Sequence, residues 1–120
     1  MKNRAVRQRF GFAWEGIVAA WRNERSFRIQ TGFALALPVA LLLLRASAVW
    51  WALCVIVALL VLAAELFNTA LESLIDHLHP EIHPAIRVAK DCAAGAVLLP
   101  SAGAVIVGSI VVLVALGVLS

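Results

Sequence analysis

Three stretches of the chain consist almost entirely of apolar residues, and each approaches or exceeds the length that a membrane-spanning helix requires. Such a helix needs about 20 predominantly apolar residues, with about 17 as a practical minimum. The predicted spans are residues 29–44, 48–75 and 92–119. The first span is short and contains Pro38, a residue that membrane helices tolerate as a kink. The pattern predicts an all-α membrane protein with one domain, residues 1–120, and three transmembrane helices.

The segment that precedes the first span, residues 1–28, has a different pattern. Its larger apolar residues recur at helical spacing between charged residues: Phe10, Trp14, Ile17, Val18 and Trp21. This pattern is typical of an amphipathic helix that lies in the membrane interface, with its aromatic side toward the lipid and its cations near anionic headgroups. The same segment can also act simply as an orientation signal, and the two interpretations are compatible.

Composition and charge agree with a membrane domain. The chain is 63% hydrophobic and 14% charged, whereas about half of a soluble domain is apolar and about a quarter is charged. Lys and Arg are concentrated in residues 1–28, and Arg45 is the one charge between the first two spans. The positive-inside rule then predicts a cytoplasmic N-terminus and a cytoplasmic loop after the second span. Membrane orientation accounts for the net charge of +3, so nucleic-acid binding is not expected.

Polar residues interrupt the last part of the second span, in the sequence ELFNTALESLID. Glu65, Asn68, Glu72 and Asp76, the polar stripe, fall within roughly 80° of one another on an α-helix. Each charge costs about 2.5–3.5 kcal/mol or more near the bilayer centre, and a divalent cation would offset the repulsion because Mg²⁺ prefers carboxylate oxygens. Two non-catalytic interpretations stay open: the stripe is the solvated face of a projecting helix, or Asn68 bonds across a helix contact.

Charged residues at two other places are predicted to reach the same side of the membrane. Glu24 and Arg28 lie just before the first span, and Lys90 and Asp91 lie just before the third. A Lys-Asp pair at a helix start is more often a cap or a membrane anchor than a catalytic element. If the pair lies near the polar stripe, it becomes a candidate for binding phosphates.

Three sequence elements in this order resemble the prokaryotic diacylglycerol kinase family of small membrane lipid kinases. They are AWRNERSFRIQ at residues 20–30, E-x-x-N-T-A-x-E within AAELFNTALESLIDHL at residues 63–78, and AKDCAAGAVLL at residues 89–99. The resemblance covers about residues 10–115, and E-x-x-N-T-A-x-E is its most specific part.

The resemblance implies an ATP- and Mg²⁺-dependent lipid kinase of the bacterial inner membrane, a homotrimer whose active sites lie between protomers. The expected reaction converts diacylglycerol to phosphatidic acid, and the alternative converts undecaprenol to undecaprenyl phosphate. A remote alternative from another class is a non-catalytic assembly or pore module, in which the polar stripe would line a pore.

The resemblance also implies roles for individual residues. Glu65 is expected to be the general base that takes the proton from the lipid hydroxyl. Glu24 and Glu72 are expected to bind both the nucleotide and the metal that bridges its phosphates. Lys90 and Asp91 are expected to contact the nucleotide. Supporting or substrate-binding roles are expected for three further residues, Asn68, Asp76 and Arg28.

The chain departs from the family pattern at two places. Some members carry an acidic residue where this chain has Gln30, which bears on contacts with the nucleotide and its metal. The family's functional N-terminal arginine aligns equally with Arg4, Arg7 or Arg9, so its role is left unassigned.

Overall fold

The structure, a computed structural model, describes residues 5–120, and Arg4 therefore lies outside the described residues. Within this range the chain forms no strand. It forms four helices: α1 (Val6–Asn23), α2 (Arg25–Leu43), α3 (Ala48–Leu78) and α4 (Pro84–Ala115). The prediction of an all-α protein is confirmed.

Three of these helices, α2, α3 and α4, are long and apolar enough to cross a membrane, which confirms that the chain has three candidate membrane-spanning helices. On the side of the polar stripe, each helix extends past the predicted span. The helix α2 begins at Arg25 instead of Ile29, and α4 begins at Pro84 instead of Cys92. The sequence prediction followed the apolar run, whereas helical hydrogen bonding continues into polar segments that a bilayer need not cover.

Local signals explain where α4 begins. Pro84 occupies its first turn, where a missing N–H costs nothing and the fixed φ suits a helix. His83 precedes it as the N-cap, and its Nδ1 accepts a hydrogen bond from the Ala85 backbone N–H at 3.1 Å. These two residues start the helix well before its apolar part.

The C-terminal ends of α2 and α4, which lie away from the polar stripe, have the same pattern of backbone hydrogen bonds. After α4, the Gly117 N–H donates to the Val114 carbonyl at 3.1 Å and the Val118 N–H donates to the Leu113 carbonyl at 3.0 Å. Gly117 has φ 78°, the left-handed conformation that this Schellman arrangement requires. The helix therefore ends at Ala115, before the predicted span end at residue 119.

The helix α3 is the centre of the fold. Its backbone approaches each of the other three helices closely, whereas the α4 backbone approaches only α3 closely among residues 5–120. A small core of Leu41, Cys54 and Val111 joins α2, α3 and α4 at the end away from the polar stripe. The stripe end of α3 lies beside the break between α1 and α2 and beside the start of α4.

Candidate functional site

Glu65 is the most enclosed member of the polar stripe. It is 5% exposed and is the one polar or charged residue that is buried among residues 5–120. Its Oε2 accepts a hydrogen bond from Ser26 Oγ, in the first turn of α2, at 3.0 Å. Its Oε1 has no hydrogen-bond partner within residues 5–120 and is not fully enclosed. The side chain also forms no ion pair in that range.

Asn68 and Glu72 form the next part of the stripe, one turn apart on α3. The Asn68 Nδ2 donates to Glu72 Oε1 at 3.4 Å. The Asn68 Oδ1 is buried and has no hydrogen-bond partner among the described residues. Leaving such a group unpaired costs about 1–3 kcal/mol. A buried amide oxygen next to a carboxylate is therefore an acceptor available to a ligand.

Asp76 links the end of α3 to α4. Its Oδ1 accepts a hydrogen bond from Lys90 Nζ at 2.6 Å, and the side chains are 62% and 37% exposed, respectively. An exposed pair of this kind contributes at most about 1 kcal/mol to stability. Lys90 and its neighbour Asp91 also line a cavity of about 310 Å³ formed by the α3–α4 loop and the start of α4. Lys90 thus lies between Asp76 and this cavity, and phosphate binding by Lys90 stays a prediction.

Glu24 lies at the single-residue break between α1 and α2. It is both the C-cap of α1 and the N-cap of α2, and its backbone angles are extended. Its side chain is half-buried and lines a cavity of about 430 Å³ between α1 and α3, together with Thr69 and Ser73. Glu24 and the end of α3 therefore face a common space.

Arg28 stabilises the break between α1 and α2. Its Nη1 donates to the carbonyl oxygens of Trp21 at 2.7 Å and of Arg22 at 3.2 Å. The last carbonyls of a helix have no partner within the helix, and basic side chains commonly satisfy them. The contact that the structure gives Arg28 thus holds the end of α1, and a direct role toward substrate stays a prediction.

The donor set suits a magnesium ion that is held largely by nucleotide phosphates. Within the described residues, no three His, Cys, Asp or Glu side chains gather into a group that could hold a metal. Mg²⁺ is usually bound through one or two carboxylates plus substrate phosphates and water. The carboxylate of Glu72 and the unpartnered Oδ1 of Asn68 supply oxygen donors of the required kind.

Ser26 was not among the predicted site residues, although its hydroxyl contacts the Glu65 carboxylate. A sequence signal was available, because Ser26 is a hydroxyl residue between Glu24 and Arg28. Nothing in helical periodicity connects it with Glu65, which lies 39 residues later in the chain.

The match to a family model decides the classification of the chain. A model described as prokaryotic diacylglycerol kinase matches residues 11–112. The chain belongs to the prokaryotic diacylglycerol kinase family. The resemblance drawn from three sequence elements, and with it the prediction of a membrane kinase of the diacylglycerol and undecaprenol kinase kind, is confirmed.

Individual relatives carry two different names. The chain is similar to a diacylglycerol kinase of Synechocystis sp., with 43% identity over 87% of this chain and 60% of the relative. It is similar to a diacylglycerol kinase of Escherichia coli K12, with 37% identity over 80% of this chain and 79% of the relative. It is also similar to an undecaprenol kinase of Bacillus subtilis, with 32% identity over 87% of this chain and 85% of the relative. The match thus spans less than two thirds of the Synechocystis protein.

Proposed function

We propose that the chain transfers the γ-phosphoryl group of ATP to the hydroxyl of a membrane lipid, with diacylglycerol as the substrate and phosphatidic acid as the product. The observation that carries this proposal is the buried Glu65 carboxylate, which has no cationic partner within residues 5–120. It lies in α3, a candidate membrane-spanning helix of a chain that belongs to this kinase family. The Synechocystis and E. coli relatives named diacylglycerol kinase match at higher identity than the B. subtilis relative named undecaprenol kinase, and this favours diacylglycerol.

Glu65 is the proposed general base. Its Oε1 accepts the proton of the lipid hydroxyl while the hydroxyl oxygen attacks the γ-phosphorus, the bond from phosphorus to the bridging oxygen breaks, and ADP leaves. A base must come within hydrogen-bond reach of the proton that it removes. A lipid hydroxyl at headgroup level meets α3 near the end of its apolar run, where Glu65 lies. The proposal needs no covalent enzyme intermediate, because phosphoryl transfer depends mainly on alignment and charge stabilisation.

The remaining polar residues are proposed to hold Mg²⁺-ATP. Glu24 and Glu72 would bind the metal, which supplies charge neutralisation to the phosphates. Lys90 would offset phosphate charge, and Asp91 would contact the nucleotide. Glu24 and Lys90 each line a cavity at this end of the bundle, and Glu72 supports the arrangement through its contact with Asn68.

We also propose the setting in which the site works: a homotrimer in the bacterial inner membrane, with a cytoplasmic N-terminus and α1 in the membrane interface. The concentration of Lys and Arg in residues 1–28 supports the orientation. Large apolar residues of α4, among them Leu98, Leu99 and Val105, are exposed in the protomer, which leaves helix surface available for neighbouring protomers.

Replacing Lys90 with Met is expected to raise KM for Mg²⁺-ATP by about tenfold, the effect of losing one charged hydrogen bond. The unfolding midpoint should stay unchanged, because the Lys90–Asp76 pair is exposed. Steady-state rates over a range of ATP concentrations measure the first quantity, and denaturant titration in micelles measures the second. Arg45→Met, which removes a cation from the α2–α3 turn at the far end of the bundle, is the matched control. A wild-type KM in Lys90→Met would remove Lys90 from the nucleotide site.

Substrate choice is tested by competition. The wild-type chain in lipid–detergent micelles receives Mg²⁺-ATP with diacylglycerol and undecaprenol together, and the ratio of products gives the ratio of the two kcat/KM values. We expect mainly phosphatidic acid. If undecaprenyl phosphate were the main product, the proposed substrate would be wrong and the proposed kinase activity would stand. Undecaprenol is the second candidate because of the B. subtilis relative.

A further inference from the structure

The hydrogen bond between Ser26 and Glu65 joins the first turn of α2 to the middle of α3. Within residues 5–120 only two side-chain-to-side-chain hydrogen bonds connect different helices, and this is one of them. The other, between Lys90 and Asp76, is exposed on both sides. The Ser26 bond instead ends on the buried carboxylate of the site.

The bond distinguishes the two oxygens of that carboxylate. Oε2 is engaged by the Ser26 hydroxyl, and Oε1 has no partner within residues 5–120. A glutamate side chain has three rotatable bonds and loses about 1.5–2 kcal/mol of rotamer freedom when it is fixed. A hydrogen bond from a second helix that fixes one oxygen also fixes the direction of the other.

We propose that Ser26 is a positioning residue for Glu65: its hydroxyl holds Oε2 so that Oε1 is directed to the lipid hydroxyl. This inference rests on the proposed kinase function. In the transfer step the lipid proton goes to Oε1, and Ser26 keeps its own proton and stays bonded to Oε2. Ser26 touches neither the lipid nor the nucleotide in this account.

The start of α2 is well suited to this role. Glu24 separates α1 from α2 just before this turn, and Arg28 connects the end of α1 to the first turn of α2 through a hydrogen bond. The Ser26 hydroxyl therefore lies in a turn that the Arg28 hydrogen bonds hold to the end of α1. This arrangement also links Glu24, a proposed metal ligand, with Glu65 through two residues of backbone and one hydrogen bond.

The test compares three variants at Ser26. Ser26→Ala and Ser26→Val remove the hydroxyl, and Ser26→Thr keeps it in a side chain with the shape of Val. We expect kcat to fall by about tenfold in the Ala and Val variants, with the KM values for Mg²⁺-ATP and lipid unchanged. Ser26→Thr should restore most of kcat. The Thr and Val variants differ in the hydroxyl alone, so a packing effect would lower both equally.

Ser101→Ala is the control outside the site, because the Ser101 hydroxyl donates within its own helix, to the Val97 carbonyl at 2.8 Å. It should retain wild-type kcat. In a Glu65→Gln background, Ser26→Ala should lower the residual rate no further, because residues that act as a unit are non-additive.

Three outcomes would overturn the inference: wild-type kcat in both Ser26→Ala and Ser26→Val, equal losses in the Thr and Val variants, or the same fold-loss with and without Glu65. An active wild-type enzyme with any of these results would leave the proposed function intact. A folded wild-type chain that phosphorylates neither lipid would overturn the proposed function, and this inference with it.

Discussion

The substitution Glu65→Gln is expected to lower kcat by about 10²–10⁴-fold, which is the usual contribution of a general base. Gln has nearly the shape of Glu, and its amide oxygen can still accept the hydrogen bond from Ser26 Oγ. It cannot accept the proton of a lipid hydroxyl. The wild-type carboxylate is buried without an ion pair among residues 5–120, so neutralising it removes a desolvation cost. The unfolding midpoint should therefore not fall.

Two measurements check this prediction together. Initial rates of phosphoryl transfer give the loss in kcat, and calorimetric titration with a non-hydrolysable Mg²⁺-ATP analogue shows that nucleotide binding is retained. The matched control is Glu15→Gln, which removes an exposed carboxylate on α1 and should keep wild-type turnover. Turnover at the wild-type level in Glu65→Gln would contradict the role of Glu65 as the base.

The substitutions Glu24→Gln and Glu72→Gln are expected to raise the Mg²⁺ concentration for half-maximal rate by about 10–100-fold each, the range typical of residues that support a metal. Glu24 lines the cavity between α1 and α3, and Glu72 lies beside the unpartnered amide oxygen of Asn68. An amide oxygen is a weaker ligand than a carboxylate, so higher Mg²⁺ should partly restore the rate.

Rates measured over a range of Mg²⁺ at fixed total ATP separate this effect from a loss of fold. Glu15→Gln is the matched control, because it removes the same charge from an exposed position on α1 and should leave the metal dependence unchanged. If Glu24→Gln and Glu72→Gln both kept the wild-type metal dependence, neither residue would belong to the metal site.

The number and type of helices were predictable from the sequence, because apolar runs of sufficient length have few structural alternatives. Helix ends were less predictable. A hydropathy pattern marks where the bilayer must be, whereas α4 begins where Pro84 and the His83 cap allow it and ends where Gly117 takes a left-handed conformation. These are local backbone signals, and they do not depend on the apolar run.

The alignment of the polar stripe on one face of α3 was also predictable, since it depends on the 3.6-residue period alone. Contacts between helices were not. The bond from Ser26 to Glu65 and the pair between Lys90 and Asp76 join residues on different helices, and their formation depends on how the helices pack. The sequence predicted Arg28 as a supporting residue, but its hydrogen bonds to Trp21 and Arg22 depend on the single-residue break in the helix at Glu24.

The central claim is that the polar stripe of α3 is the place where a lipid hydroxyl receives phosphate from ATP. Its most direct test is a single-turnover measurement in lipid bilayers, with γ-labelled Mg²⁺-ATP and an excess of wild-type or Glu65→Gln protein. We expect the wild-type protein to move the label into a lipid phosphate in one phase, and the Glu65→Gln protein to bind the nucleotide and leave the label on ATP. Equal label transfer by the two proteins would contradict the claim. So would a folded wild-type protein that transfers no label to diacylglycerol or to undecaprenol.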